Sequence, residues 1–136
     1  MKTPHPDPPP QAGKEETYER GMQARREVLG DAHVDRARAT TTPLTEDFED
    51  LITRYAWGDV WARPGLDRRT RSCLTIVALV ATGRTEELEM HVKAALRNGV
   101  TPDELKEVLL HCAVYCGVPA ANTAFAIAQR VIDQTA

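Results

Sequence analysis

Residues 99–125, GVTPDELKEVLLHCAVYCGVPAANTAF, hold two helix starts and one helix stop. Thr101 is a good N-cap, because its hydroxyl can accept from a free N–H of the first turn. Pro102 fits the first helical position, where no N–H is needed. Glu104, three residues after Thr101, completes a capping-box pattern. Leu105, Val108, Leu109, Cys112 and Cys116 then recur on one face at helical spacing. Gly117 can stop that helix in the left-handed conformation, and Pro119 can open the next. Tyr115 therefore falls in the last turn, beside a corner expected to be packed. A hydroxyl in such a place needs a partner, from protein or ligand.

The same punctuation recurs outward from this stretch. Residues 15–29 carry Tyr18, Met22, Val28 and Leu29 among charges, and predict an amphipathic helix ending at Gly30. Asp31 to Ala39 adds one or two turns. Thr45 is expected to cap the next helix, with Phe48, Leu51, Ile52, Tyr55 and Val60 on its inner face. WGDVWARPGL, residues 57–66, breaks that helix at Gly58 or at Pro64–Gly65. Asp67 opens a helix to about Ala81 that is apolar on nearly every side from Cys73 onward, so it is expected at the centre of the core. Gly83 ends it. Thr85 is expected to cap a helix with Leu88, His91, Val92 and Ala95 on one face, ending at Asn98–Gly99. Residues 119–134 form a last helix whose Ala120, Ala121, Ala124, Ala126 and Ala128 allow a neighbour to approach closely. Alternation never persists long enough for a strand. The reading is an all-α bundle of about six to seven helices over residues 15–136. Residues 1–14, with five prolines, are expected to be a disordered tail outside it.

Composition narrows the function. A chain of 136 residues suits one domain, and 42% hydrophobic content can supply its core. No apolar run is long enough to span a bilayer and no start resembles a signal peptide, so a cytoplasmic protein without a membrane partner is expected. Cys73, Cys112 and Cys116 are odd in number and lie in apolar helical patterns, which argues for reduced, buried thiols. The net charge of −3 speaks against a nucleic-acid partner. An anionic ligand must then be held by a local basic cluster. Small core residues and only 5% aromatic content favour burial by self-association, so a homo-oligomer is expected.

Three groups of residues could carry chemistry. Arg63, Arg68, Arg69 and Arg71 surround the start of the Asp67 helix. Cations there oppose the helix dipole, while the free N–H groups and the planar guanidinium fork attract carboxylates. The competing reading is a solvated face, with Asp67 and Arg71 paired at i, i+4. His91 shares an apolar face and points inward, either as a hydrogen-bonded core residue or as an acid with a reference pKa near 6.5. His111 reads as surface and His33 is ambiguous. Cys112, Cys116 and His111 lack structural-zinc spacing, so no metal is expected. Trp57 and Trp61, around Gly58, either wall a pocket or plug one end of the core.

The segments YAWGDVWARPGLDRRTRSCLTIVALVATGR (55–84), EELEMHVKAALRNGVTPDELKEVLL (86–110) and YCGVPAANTAF (115–125) resemble the γ-carboxymuconolactone (4-carboxymuconolactone) decarboxylases. The earlier GMQARREVLGDAHVDRA (21–37) resembles the start of those enzymes. The likeness runs from about Tyr18 to about Ile132. It implies the helical fold shared with AhpD-type alkylhydroperoxidases, assembled as a homohexamer. It also implies cofactor-free loss of CO2 from γ-carboxymuconolactone, a small dicarboxylate lactone, to give 3-oxoadipate enol-lactone in the protocatechuate branch of the β-ketoadipate pathway. AhpD-type enzymes carry Cys-x-x-Cys four residues before a histidine, with a relay glutamate upstream. With that histidine at His91, the cysteine positions hold Arg84 and Glu87, and the glutamate position falls near Ser72. Thiol peroxidase chemistry is thus disfavoured. On the lactone reading, Arg71 anchors the substrate with Arg63 second, and Trp57 and Trp61 supply a dry wall. His91 and Tyr115 donate to the reacting ring, in an order the residues leave open. Glu46, Glu87 and His33 are left as groups that could orient the donors. A non-enzymatic helical interaction protein is the third reading, and it predicts no pocket lined by Arg71, His91 and Tyr115.

Overall fold

The computed structural model describes residues 13–135. They form α1 (Lys14–Leu29), α2 (Asp31–Ala39), α3 (Glu46–Ile52), a π-helical segment (Thr53–Trp61), α4 (Arg68–Thr82), α5 (Thr85–Arg97), α6 (Pro102–Tyr115) and α7 (Val118–Thr135), with no strand among them. The first helix starts at Lys14, one residue ahead of the expected boundary. Residues 1–12 of the expected tail lie outside the described residues.

Local chemistry sets most of the ends. The Thr101 hydroxyl accepts from the Glu104 N–H, while the Glu104 carboxylate accepts from the Thr101 N–H, each at 3.1 Å. The Asp67 carboxylate accepts from the Thr70 N–H at 2.6 Å and starts α4. Gly83, at φ +70°, closes α4 in the left-handed region, which a side chain would resist. Two expected caps differ. Arg84, not Thr85, precedes the first turn of α5. The Thr45 hydroxyl accepts from the Thr42 N–H at 2.9 Å instead of capping α3.

Two apolar clusters hold the bundle. The larger joins α4 to α7 through Ile76, Val80, Leu88, Val92, Leu105, Leu109, Ile127 and Val131. Each such side chain contributes about 1.5–3 kcal/mol on full burial. The smaller joins α1, the π segment and α5 through Val28, Trp57 and Ala94, with Trp61 against it. So α5 packs on two sides, Leu88, Val92 and Ala95 toward one cluster and Ala94 toward the other.

Glycines make the second contact possible. A Cβ on Gly21 would lie 2.0 Å from the Thr53 carbonyl oxygen. No real side chain tolerates that approach, so α1 and the π segment meet backbone to backbone. The extra residue per turn of a π-helix is uncommon and often marks a functional site. Here it carries both tryptophans.

The single chain overturns two expectations about faces. Phe48 (62% exposed), Leu51, Tyr55 and Val60 point outward rather than inward. The π segment buries Thr53, Trp57 and Gly58 instead. The central helix α4 buries only Ser72, Ile76 and Val80, and Leu74 is 55% exposed. Burial in α4 therefore follows one stripe, as in an ordinary amphipathic helix. Among the alanines of α7, Ala121, Ala124 and Ala128 are buried while Ala126 is exposed.

Candidate active site

His91 lies on the face of α5 that also carries Ala94, the face turned to the smaller cluster. Its ring stands 6.4 Å from that of Trp61, nearly parallel at 18°. Trp61 in turn stacks on Trp57, with centroids 5.0 Å apart. The two tryptophans thus form a wall beside the imidazole, and Trp57 is also a core residue. Of the two sequence readings, the core plug describes Trp57.

The arginines divide. Arg68 pairs with Glu27, and Arg69 pairs with Glu104 and donates to the Gly99 carbonyl at 3.3 Å. These are solvated surface contacts worth little. Arg71 behaves otherwise. Its Nη2 donates to the Arg63 carbonyl at 3.4 Å, which joins the α4 start to the chain following Trp61. The Asp67 carboxylate is committed to capping and makes no ion pair with the Arg71 guanidinium, so the i, i+4 surface pair is absent. Arg63 itself is exposed.

Among the described residues, three buried side-chain polar atoms have no hydrogen-bond partner: Nε of Arg25, Nε of Arg71 and Nδ1 of His91. Buried donors are normally satisfied, so each such atom needs an account. Two belong to residues singled out for the reaction, and both could serve a carboxylate or a lactone oxygen. The third was missed. Arg25 is only 7% exposed, on the stripe of α1 with Gly21, Ala24 and Val28. A charge on an otherwise small and apolar stripe is the mark that could have found it. Its Nη1 donates to Glu49 at 3.0 Å and to the Thr53 hydroxyl at 3.5 Å.

Electrostatics modify the role first given to His91. Burial and the nearby His33 push its pKa down to about 4, against a weaker upward pull from Glu87. The resting imidazole is therefore neutral at pH 7, with an N–H to donate but no positive charge. His33 is also pulled below its usual value, by burial and by Arg25, Arg36 and Lys93.

Tyr115 is not in a packed corner. It is 77% exposed, and its ring meets that of His111 at 4.9 Å. The structure thus brings Trp57, Trp61 and His91 together, and Arg63 with Arg71, but leaves Tyr115 on the surface of the single chain. A cleft of about 580 Å3 runs between α1 and α3 past Arg25 and Thr53, and neither tryptophan nor His91 lines it.

The carboxymuconolactone decarboxylase family model matches residues 46–130, a span holding Trp57, Trp61, Arg63, Arg71, His91 and Tyr115. The chain belongs to the carboxymuconolactone decarboxylase family. Within that family it is 50% identical over 117 residues to the 4-carboxymuconolactone decarboxylase of Acinetobacter baylyi (strain ATCC 33305 / BD413 / ADP1), covering 86% of this chain and 87% of the relative. It is 42% identical over 116 residues to the nitrosuccinic acid decarboxylase npaB of Metarhizium robertsii, covering 85% and 81%. A 4-carboxymuconolactone decarboxylase of Pseudomonas putida matches at 48% over 46 residues, 34% of this chain and 96% of that one.

Membership in the carboxymuconolactone decarboxylase family agrees with the state of the thiols. Cys73, Cys112 and Cys116 are free, and burial beside Cys116 pushes the Cys112 thiol up to about 11. A thiol so raised is a poor nucleophile, the opposite of what peroxide chemistry needs. Among the described residues no helix is long and apolar enough to cross a membrane.

Proposed function

We propose that this chain is a carboxy-lyase that converts 4-carboxymuconolactone to 3-oxoadipate enol-lactone with loss of CO2. The observation that carries this reading is the 50% identity to the Acinetobacter baylyi 4-carboxymuconolactone decarboxylase across nearly the whole of both chains. The grouping of Trp57, Trp61 and His91 and the unsatisfied donor on Arg71 support it.

The substrate is a butenolide that carries a carboxylate on a ring carbon and an acetate arm on the same carbon. When the C–CO2 bond breaks, its electrons pass through the ring alkene to the lactone carbonyl, giving a dienolate. The carbon next to that carbonyl then takes a proton. The lactone is its own electron sink, and no metal or organic cofactor enters the scheme.

The protein has three tasks. Arg71, with Arg63 behind it, anchors the acetate arm through a charge-assisted pair. Gripping the leaving carboxylate instead would stabilise the ground state. The wall of Trp57 and Trp61 keeps water from that carboxylate, so its charge is poorly solvated until it is lost. His91 supplies a donor at the ring. As a neutral imidazole it can polarise the developing oxyanion. Once a dianion is bound its proton affinity rises, and it can then pass a proton to carbon. Tyr115 is the second donor in this reading. It reaches a ring only where two copies of the chain meet, because in one copy it faces outward.

A homo-oligomer, a hexamer by family resemblance, belongs to the same reading. Phe48, Leu51, Tyr55, Leu110, Val114 and Val118, all exposed on the single chain, support it. The pathway assignment, to protocatechuate breakdown in the cytoplasm, rests on the proposed substrate.

The relative that acts on nitrosuccinic acid favours a second reading. Nitrosuccinate is also a dianion, with a nitro group in place of the lactone as electron acceptor. The test is direct. Purified protein is offered freshly prepared 4-carboxymuconolactone and, separately, nitrosuccinate, and CO2 release is followed beside ultraviolet absorbance. Turnover of the lactone is expected to exceed that of nitrosuccinate; the reverse order overturns the substrate assignment and keeps the reaction class.

A further inference from the structure

We propose that Arg25 is a positioning residue for the tryptophan wall, acting on the π segment through Glu49 and Thr53; this rests on the decarboxylase reading above. Arg25 lies on the buried stripe of α1 and is 7% exposed. Its Nη1 donates to the Glu49 carboxylate at 3.0 Å and, at a longer 3.5 Å, to the Thr53 hydroxyl. Glu49 belongs to α3, and Thr53 is the first residue of the π segment. One guanidinium thus holds a group on each side of the place where the helix changes type. The Thr53 hydroxyl ties the same two turns together, donating to the Glu49 carbonyl at 2.8 Å.

The glycines and this charge settle different things. Gly21 and Gly58 set how near α1 and the π segment approach, because a Cβ on either would strike backbone. Close approach of two bare backbones leaves rotation about the segment axis open. A side chain that reaches across from α1 and binds at the first π residue removes that freedom. Rotation matters because Thr53 and Trp57, four residues apart, are both buried. Trp61, four residues further on, stacks on Trp57 at 5.0 Å and faces the His91 ring at 6.4 Å. A twist at Thr53 therefore moves both indoles relative to the imidazole.

Stability is a poor account of the same charge. A buried ion pair loses hydration that its own attraction barely repays, and an apolar side chain of like shape often serves stability as well. Arg25 also keeps its Nε buried without a partner, which is a further cost. What a planar guanidinium supplies, and an apolar side chain cannot, is direction. Arg54 bridges the same junction to Asp50, but through side chains 25% and 48% exposed. Such a solvated pair holds little, so the buried one sets the orientation. Arg25 does this without touching the substrate.

The experiment reads the wall directly in the free protein. The chain has two tryptophans, so the circular-dichroism couplet of stacked indoles reports this pair alone. Arg25→Met keeps the reach of the side chain and removes its donors. It leaves the Thr53 hydroxyl on the Glu49 carbonyl, and the Glu49 carboxylate on the open cleft of about 580 Å3, so no new group is stranded. Loss of the couplet with helical content intact is expected. With it kcat should fall by about 10-fold or more, toward the roughly 10²-fold that an ångström of misplacement can cost. KM should change little, because the proposed anchor Arg71 is on α4. Arg54→Met is the control and should match the unaltered chain in both readouts. Where Arg25→Met does not fold, Thr53→Val takes its place; it keeps the Arg25–Glu49 pair, removes the bridge to the π segment and should weaken the couplet. An unchanged couplet in the folded variant overturns the proposal. So does an equal loss in Arg54→Met, a normal kcat beside a lost couplet, or no couplet in the unaltered chain. The couplet needs no substrate, so it judges Arg25 even where the lactone assay fails, in which case the substrate reading falls alone.

Discussion

Gly58 lies against the backbone of Thr17: a Cβ built on it would sit 2.5 Å from the Thr17 carbonyl oxygen. The atom in the way is backbone on a sixteen-residue helix, so it cannot swing aside. This contact fixes how far the π segment stands from α1. It thereby fixes Trp57 and Trp61, which flank the glycine. Gly58→Ala is expected to cost about 1–3 kcal/mol or more, as overpacking does. It should also lower kcat/KM, because both tryptophans shift. Thermal unfolding and steady-state kinetics check the two effects, and unchanged stability would mean that the helices can part without penalty.

His91→Ala should lower kcat by at least about 10²-fold while leaving the helical circular dichroism intact. The side chain is only partly buried and its Nδ1 bonds to nothing in the protein, so folding does not depend on it for a hydrogen bond. Near-normal turnover would remove His91 from the chemistry.

Arg71→Ala should raise KM for the dianion strongly, with a smaller effect on kcat. The bond it loses, to the Arg63 carbonyl at 3.4 Å, is long, and its Nε is unengaged. Little folding energy is therefore at stake. Arg69→Ala is the control, since that side chain is committed to Glu104. Equal KM values for the two variants would make Arg71 one more surface cation.

Acid should destabilise this chain through His91. Unfolded, the imidazole takes its proton near pH 6.5; folded, only near pH 4, because of burial and His33. Between those values the unfolded chain binds more protons, so lowering the pH favours it. The stabilisation is complete above the unfolded pKa and is lost as pH falls through the folded one. It amounts to at most about 3 kcal/mol from the His91 shift. His33 adds with the same sign. Urea unfolding at pH 7 and pH 5 should show the loss in the unaltered chain and a smaller one in His91→Ala.

The outward apolar residues should report on assembly. Leu44, Phe48, Leu51 and Tyr55, in α3 and on either side of it, are each exposed by half or more. Leu51→Glu is expected to lower the molecular mass in solution and to reduce activity with it if sites depend on two copies. Light scattering on the eluting protein reads the mass. A mass equal to one chain before any substitution would refute the oligomer and leave the surface role of Tyr115 without a site.

Much of the bundle was legible because its causes are local. The Thr101–Glu104 box, the Asp67 cap and the left-handed Gly83 each depend on dihedral preferences and hydrogen bonds within a few residues. Arg71 and the two tryptophans stood out by chemistry and position in the same way. The face of a helix that is buried is a different kind of fact. Phe48 and Tyr55 show the spacing of an inner face, yet they point out, because glycine contacts turn Thr53 and Trp57 toward α1 instead.

The residue order alone therefore determined the helical class, most of the helix ends, the family and the one histidine on an apolar face. Only the tertiary structure decided that Tyr115 lies outside the chain's own core, that Arg25 is buried with a free Nε, and that His91 is neutral. The reason is range. Capping and turn chemistry act over three or four residues, whereas desolvation and charge act through space, between groups as far apart in sequence as His33 and His91.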